Sequence, residues 1–323
     1  MSYKSVWDFG RAGKANYSVH GIGEYPSKIR PMVFAKVVER FSKPGDIILD
    51  PFCGCGTLPV EAKIQGRSSV SYDINPYAVE LTKKKLNKLN KDETIRLTQD
   101  FITDCQEELT NTNGVRKFKK IQIEKEINKL QKRLNDLDNP TSIYYETTHI
   151  VKAHDARDQD LPKESVNAVM TDIPYANMIQ YSSCPGDLSL IVDYSAFLEE
   201  LEKALKNAEA SLKKEGYFVI FCADYRIGAS RKILPVHVDV INIMRGFGLT
   251  LFDTYIWRYY RSGSFRPFGK HPYQAMNVHI YILVFYKSEG EQLNKANRSV
   301  RYRPRLKQKI EKSSNLNNFK NSI

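Results

Sequence analysis

Residues Ile47 to Thr57 read Ile-Ile-Leu-Asp-Pro-Phe-Cys-Gly-Cys-Gly-Thr, and they constrain the fold more than any other stretch. The apolar run closed by an acid predicts a short buried strand. The paired glycines predict a turn at which the backbone can approach a ligand closely. Leu58 to Gln65 then predicts a helix, and Ser69 to Tyr72 a second strand that ends in Asp73. A strand, a glycine turn, a helix and a strand-end acid make one half of a nucleotide-binding sheet. Asp73 is placed to accept hydrogen bonds from both hydroxyls of a ribose. The loop lacks the spaced glycines of dinucleotide sites and the Gly-Lys-Ser/Thr of a phosphate cradle. The expected cofactor therefore has an adenosine but no pyrophosphate.

A chain of 323 residues with 41% hydrophobic content supports one large α/β domain with insertions, or a domain plus a small lobe. The net charge of +12 points to a polyanionic partner, nucleic acid before mere solubility. No window approaches the roughly 18 apolar residues of a membrane span, and the N-terminus carries no secretory pattern. Cys53, Cys55, Cys105, Cys184 and Cys222 are odd in number and unevenly scattered, which suits reduced thiols in a cytoplasmic protein. Cys53 and Cys55 have no second Cys/His cluster at zinc spacing, so no metal is expected and both are read as small loop fillers.

In chain order, residues 1–19 form a polar and aromatic N-terminal arm, and a main domain is expected over 20–288. Pro31 opens a helix through Phe41, with Val33, Phe34, Val37, Val38 and Phe41 at helical spacing. Asn75-Pro76 starts another helix, to about Leu89. Residues of about 91–148 exceed a minimal domain of this type and are expected to be a helical insertion. Within it, Val115 to Leu137 reads as a highly charged amphipathic helix, with Ile121, Ile127, Leu130, Leu134 and Leu137 along one side. Its charged face suits solvent or a protein partner, and secondarily phosphates. Ile150 to Asp155 is a strand ending in an acid, and Ser165 to Thr171 an apolar strand running into Asp172-Ile173-Pro174-Tyr175. Tyr194 to Leu212 is a helix, Lys213 to Gly216 a turn, Tyr217 to Cys222 a strand and Asp224 to Arg226 a loop. Pro235 to Phe247 is a helix, and Leu249 to Trp257 and Val278 to Tyr286 are strands. The loop of about 258–276 interleaves Arg258, Arg261, Arg266 and Lys270 with tyrosines and phenylalanines, a mixture suited to phosphate contact and base stacking. The tail 289–323 is basic and expected to be flexible.

Asp-Pro-Phe-x-Gly-x-Gly-Thr after an apolar strand resembles the first motif of S-adenosylmethionine-dependent amino-methyltransferases that act on nucleic acids. The resemblance implies that Asp50, Pro51, Phe52, Gly54, Gly56 and Thr57 form the loop around the methionine end of the cofactor, and that Asp73, beside Ile74, is the ribose-binding acid. It also implies that Tyr25, Pro26 and Ser27 contact the methionine part, where an irregular proline-held linker is the other reading. Asp155 would lie near the adenine ring, unless it is a surface turn. The implied fold is α/β, a Rossmann-like class I methyltransferase sheet with an antiparallel closing hairpin and the helical insertion.

Asp172-Ile173-Pro174-Tyr175 resembles the Asp/Asn/Ser-Pro-Pro-aromatic motif of enzymes that methylate exocyclic amines, and Asn177 and Tyr181 extend the likeness toward DNA methylases. Such an amine is a poor nucleophile because its lone pair is delocalised into the ring. Asp172 and the Ile173 carbonyl would hold its two hydrogens and turn the lone pair toward the methyl group. Pro174 would stiffen the turn, and Tyr175 would offer a face to an extruded base. Ile173 departs from the family, which usually has proline there. The function so implied is sequence-specific N6-adenine or N4-cytosine methylation of DNA. The alternatives are a tRNA guanine-N2 methyltransferase, disfavoured by the short arm before His20, and a non-catalytic nucleic-acid-binding relative.

Overall fold

Alternating apolar strands and amphipathic helices build a twisted sheet covered on both faces. The computed structural model describes residues 5–8, 18–110, 117–138, 147–158, 161–227, 232–258 and 279–289. The elements, in chain order, are β1 (Val6–Asp8), α1 (Pro31–Phe41), β2 (Ile47–Asp50), α2 (Thr57–Ile64), β3 (Ser68–Asp73), α3 (Pro76–Lys88), α4 (Lys91–Thr110) and α5 (Lys117–Asp138). There follow β4 (His149–Ala153), β5 (Val166–Asp172), α6 (Tyr194–Ser211), β6 (Leu212–Cys222), β7 (Tyr225–Ile227), β8 (Lys232–Leu234), α7 (Val236–Gly246), β9 (Thr250–Arg258) and β10 (His279–Tyr286).

The main sheet runs β1-β9-β10-β6-β5-β2-β3-β4. Only β10 is antiparallel to its neighbours, so β9 and β10 close the sheet as the expected hairpin. From β2 the chain steps outward through β3 and β4, then returns to β5 on the other side of β2. That reversal opens a crevice at the carboxyl ends of β2 and β5, the usual ligand position in an open parallel sheet. Buried Phe197, Leu201 and Leu205 of α6 and Val240 and Met244 of α7 fill one face. Val33, Phe34, Val37, Val38 and Phe41 of α1 fill the other, and the helical spacing of these five accounts for their shared face.

Several expectations need correction. Of the arm, Val6–Asp8 adds an edge strand beside β9, with buried Trp7 packed on Tyr255. The turn expected at Lys213–Gly216 is instead a bulge inside the long β6, with Glu215 at φ +63° and a register shift opposite Val166 and Ala168. Asp224–Arg226 is not simply a loop, because Tyr225–Ile227 pairs with Lys232–Leu234. In the insertion, α4 and α5 share a small core of Ile102, Ile123, Ile127 and Leu130. Ile123, Ile127, Leu130 and Leu134 follow one helical stripe, which leaves Ile121 two residues out of register and exposed. The side chain of Leu137, most of the loop 258–276 and the tail beyond Glu289 lie outside the described residues. Among the described residues no helix is long and apolar enough to cross a membrane.

The turn after β2 depends on glycine in a definite way. Gly56 ends the loop at φ +78°, and a Cβ there would meet Thr82 Oγ1 at 2.5 Å. Gly56→Ala is expected to cost roughly 1–3 kcal/mol through left-handed strain and crowding. Chemical denaturation of the variant beside wild type would measure this, and an unchanged midpoint would contradict it.

Candidate active site

The carboxyl ends of β2, β3, β4 and β5 surround a cleft of about 830 Å³, open mouth included. This lies within the range of small-molecule and cofactor sites, roughly 300–1,000 Å³. Asp50 closes β2 and is buried, and its Oδ1 accepts the Thr171 hydroxyl at 2.8 Å and the Phe52 amide at 3.3 Å. Burial pushes its carboxyl up to about 7, against the lowering effect of those two hydrogen bonds. Asp73 closes β3. Its Oδ2 accepts the Gly54 amide at 2.8 Å and its Oδ1 the Asn75 amide at 2.9 Å. One amide on each oxygen leaves further lone pairs for a ligand. Burial raises Asp73 to about 6, although both amides lower it.

The glycine loop is held from behind by α3. Thr82 Oγ1 donates to the Gly54 carbonyl at 3.1 Å, and the fully buried Lys85 donates through Nζ to the Cys55 carbonyl at 2.7 Å. Threonine and lysine three residues apart share a helix face, so both reach the loop. Burial lowers the Lys85 pKa. Within the run Thr82-Lys83-Lys84-Lys85 the sequence offered only that spacing as a signal, and neither residue was singled out.

The far wall comes from Tyr25 and Tyr181, whose rings stack with centroids 6.1 Å apart. Asn75 Nδ2 donates to the Tyr181 carbonyl at 3.2 Å and ties this wall to α3. Ser27 lines the cleft at φ +56°, a left-handed conformation that is strained for serine. Asp155 also lines the cleft, where Arg157 grips it with Nε to Oδ1 at 2.9 Å and Nη2 to Oδ2 at 2.5 Å. Burial works to raise Asp155, but Arg157 outweighs it and holds the carboxyl below its usual range. The same guanidinium donates to the Gly186 carbonyl at 2.9 Å and pairs with Glu200. Gly186 and Asp187 thereby border the cleft, and Asp187 Oδ1 accepts the amide and hydroxyl of Ser189. Asp187, His154 and Arg157 carried no motif and were not foreseen.

Asp172, at the end of β5, faces the same cleft with Pro174. The Tyr175 hydroxyl donates to Asp172 Oδ1 at 2.9 Å. Burial pushes the Asp172 carboxyl well above its usual range, the Tyr175 bond lowers it, and the charge of Asp50 raises it further. Ile173 is buried in the α6 face of the core, and its amide reaches the Phe221 carbonyl at 3.3 Å. Ala176 then takes φ +44°, so the turn is strained just after the motif.

Of the residues singled out from sequence, Tyr25, Ser27, Asp50, Pro51, Phe52, Gly54, Thr57, Asp73, Ile74, Asp155, Asp172, Pro174 and Tyr181 share the cleft. Gly56, Ile173, Tyr175 and Asn177 adjoin it in sequence without lining it. Tyr175 turns its hydroxyl to Asp172, and Asn177 is exposed in a short 3-10 turn. Arg258 lies exposed at the end of β9, and Arg261, Arg266 and Lys270 fall outside the described residues. All five cysteines are free, and no group of three or more metal-ligating side chains gathers among the described residues.

The lining carboxyls are Asp50, Asp73, Asp155, Asp172 and Asp187, against a single lysine, Lys28. In a protein of net charge +12 such a concentration of acid suits a cationic ligand. The strand order, the antiparallel β10 and this cleft at the switch point define a Rossmann-like class I methyltransferase sheet.

The chain belongs to the DNA methylase family, whose N6/N4 methyltransferase profile matches residues 1–84 and 166–322. The stretch left unmatched contains α4 and α5. Among curated proteins, the type II methyltransferase M.MjaII of Methanocaldococcus jannaschii is 32% identical over 111 residues, covering 33% of this chain and 21% of that one. The type II methyltransferase M.MjaVI of the same organism is 29% identical over 143 residues, covering 42% and 69%. A Thermus thermophilus protein described as a DNA modification methylase, solved with S-adenosyl-L-methionine, is 28% identical. The likeness covers 42% of this chain and 54% of that one, with a TM-score of 0.33. This chain thus spans about a fifth of M.MjaII and about half of the Thermus protein.

Asp50 and Asp73 make ligand-free stability depend on pH. Their folded values, about 7 and about 6, lie above the ordinary 3.8. Their contribution is fully present below about pH 4 and is lost as pH rises through 6 and 7. The ligand-free protein should therefore melt at a lower temperature near pH 8 than near pH 5. Asp50→Asn should remove part of that difference; an equal difference in the variant would refute the assignment.

Proposed function

We propose that this protein transfers the methyl group of S-adenosylmethionine to an exocyclic amino nitrogen of adenine or cytosine in DNA, at a defined sequence. The observation that carries the reading is that the Asp172 carboxyl opens onto the same acid-lined cleft as the glycine loop and the strand-end acid Asp73. Membership of the DNA methylase family and the names of the relatives support it.

The donor set fits the cofactor. Asp73 has lone pairs left for a ribose, and Asp50 and its acidic neighbours suit an α-ammonium and a sulfonium. Arg157 holds Asp155 in place for the adenine end. When bound, S-adenosylmethionine would supply a methyl group activated by its positive sulfur. Asp172 and the Ile173 carbonyl would accept the two amine hydrogens and turn the nitrogen lone pair toward that methyl. Pro174 and the core-anchored Ile173 side chain keep the two acceptors in fixed relation. The high proton affinity of Asp172 suits it to take the proton that the methylated nitrogen releases.

The proposal assigns the basic segment after Arg258 and the tail 289–323 to the DNA backbone, and the α4–α5 insertion to a protein partner or solvent. It includes a cytoplasmic location, where five free thiols persist.

The test is methyl transfer from labelled S-adenosylmethionine to unmethylated duplex DNA and, in parallel, to unmodified tRNA, with the modified nucleosides identified by mass spectrometry. N6-methyladenine or N4-methylcytosine is expected from DNA, and N2-methylguanine from tRNA would replace the substrate. Asp172→Ala should abolish transfer while cofactor still binds, whereas Asp73→Ala should weaken cofactor binding by about tenfold or more. Full activity of the first variant would end the mechanism.

A pH profile tests the Tyr175 bond separately. The single-turnover rate should fall as pH drops through the raised pKa of Asp172. Tyr175→Phe removes a group that lowers this pKa, so the fall should move to higher pH. A profile that stays in place, or moves down, would contradict that link.

A further inference from the structure

A second polar cluster lies on the same edge of the sheet, beyond Asp172 and away from the cleft. Asp172 is paired with Phe221 on β6, and the next β6 residue, Cys222, is paired with Tyr281 on β10. Adjacent strands are about 4.8 Å apart, so Tyr281 stands about two strands, on the order of 10 Å, from the catalytic motif. Asp224 lies two residues beyond the end of β6, and His237 lies in the first turn of α7. None of these three lines the cofactor cleft.

The histidine is fixed in three ways. Asp224 Oδ1 accepts its main-chain N–H at 3.2 Å and pairs with its ring Nδ1 at 2.7 Å. The ring lies nearly flat on Tyr281, with centroids 4.1 Å apart and planes 15° apart, and His279 meets Tyr281 edge-on at 4.9 Å. Asp224 thereby caps the start of α7, a task that needs the backbone of residue 237 but not its ring. With Nδ1 taken, Nε2 remains for an outside partner, on a side chain that is 24% exposed. A positioned polar atom on a rigid element is the usual form of a base-reading contact.

Its location selects the partner. In-line transfer requires the target base to extend from Asp172 away from the cofactor, and that direction leads over β6 and β10. The strand carrying the base must pass the same ends, and the basic-aromatic loop leaves the sheet there too, between Arg258 and its register partner His279.

We propose that Asp224, His237 and Tyr281 form a specificity site, at which His237 Nε2 accepts a hydrogen bond from an N–H on the edge of a nucleobase next to the one methylated. This inference rests on the reading of the protein as a DNA amino-methyltransferase.

The experiment is methylation of a duplex library randomised around the target base, using the full-length protein and labelled S-adenosylmethionine. Wild type is compared with His237→Phe, which keeps a stacking ring but lacks Nε2, and with His237→Gln, which keeps an acceptor. His237→Phe is expected to relax the preference at one flanking position by about tenfold, with cofactor affinity unchanged. His237→Gln should retain part of the preference. An unchanged profile overturns the proposal, as does a uniform loss across all sequences, which marks a phosphate contact. Loss of cofactor affinity in both variants also overturns it, because the ring would then be structural. A wild type that methylates no sequence in the library fails at the underlying reading, and that arm separates the two failures.

Discussion

The hydrogen bond from the Gly54 amide to Asp73 Oδ2 joins the ends of two parallel strands, and the geometry of the cleft depends on it. It holds the glycine loop over β3 and sets the direction of the carboxylate that lines the cleft. The bond is one of several on a short piece of backbone. Thr82 and Lys85 hold the next two carbonyls of the turn from below, and the Cys53 amide donates to the Tyr72 carbonyl at 2.8 Å. The loop backbone is thus fixed from α3 and β3 before any ligand enters.

A lysine with no exposed surface stabilises little in isolation, since burying its charge is costly. Lys85 is held by its hydrogen bond to the Cys55 carbonyl, and burial lowers its pKa toward the neutral form. The buried carboxyls of Asp50 and Asp73 and the half-buried one of Asp172 share one crevice, and desolvation raises all three. Ionisation of these acids is therefore costly in the ligand-free cleft. The same physics separates two regions of one chain: an acid-lined crevice suited to a cation, within a protein of net charge +12.

Much of the fold could be read locally. Helices such as Pro31–Phe41 and strands such as Ile47–Asp50 follow from apolar spacing, because a single face or run has to be buried. Where local reading failed, long-range contacts had overruled it. The Lys213–Gly216 stretch contains turn-forming residues, but pairing with β5 absorbs it into β6 as a bulge. Ile121 looked like part of an apolar stripe, and the packing of α5 on α4 chose Ile123 instead.

The sequence by itself determined the two motifs, their strand-end positions and hence the residues most able to carry chemistry, because those signals lie within a dozen neighbouring residues. Only the tertiary structure decided which distant groups share the cleft. Asp187 reaches it through a loop with no local signature and Tyr181 by stacking on Tyr25, while Arg157 and Lys85 act from behind the lining, on Asp155 and on the Cys55 carbonyl. It also turned the Tyr175 hydroxyl onto Asp172 and paired His237 with Asp224. The physical reason is the same throughout. Backbone conformation responds to nearby residues, whereas burial and hydrogen-bond partnership depend on which elements the sheet order brings side by side.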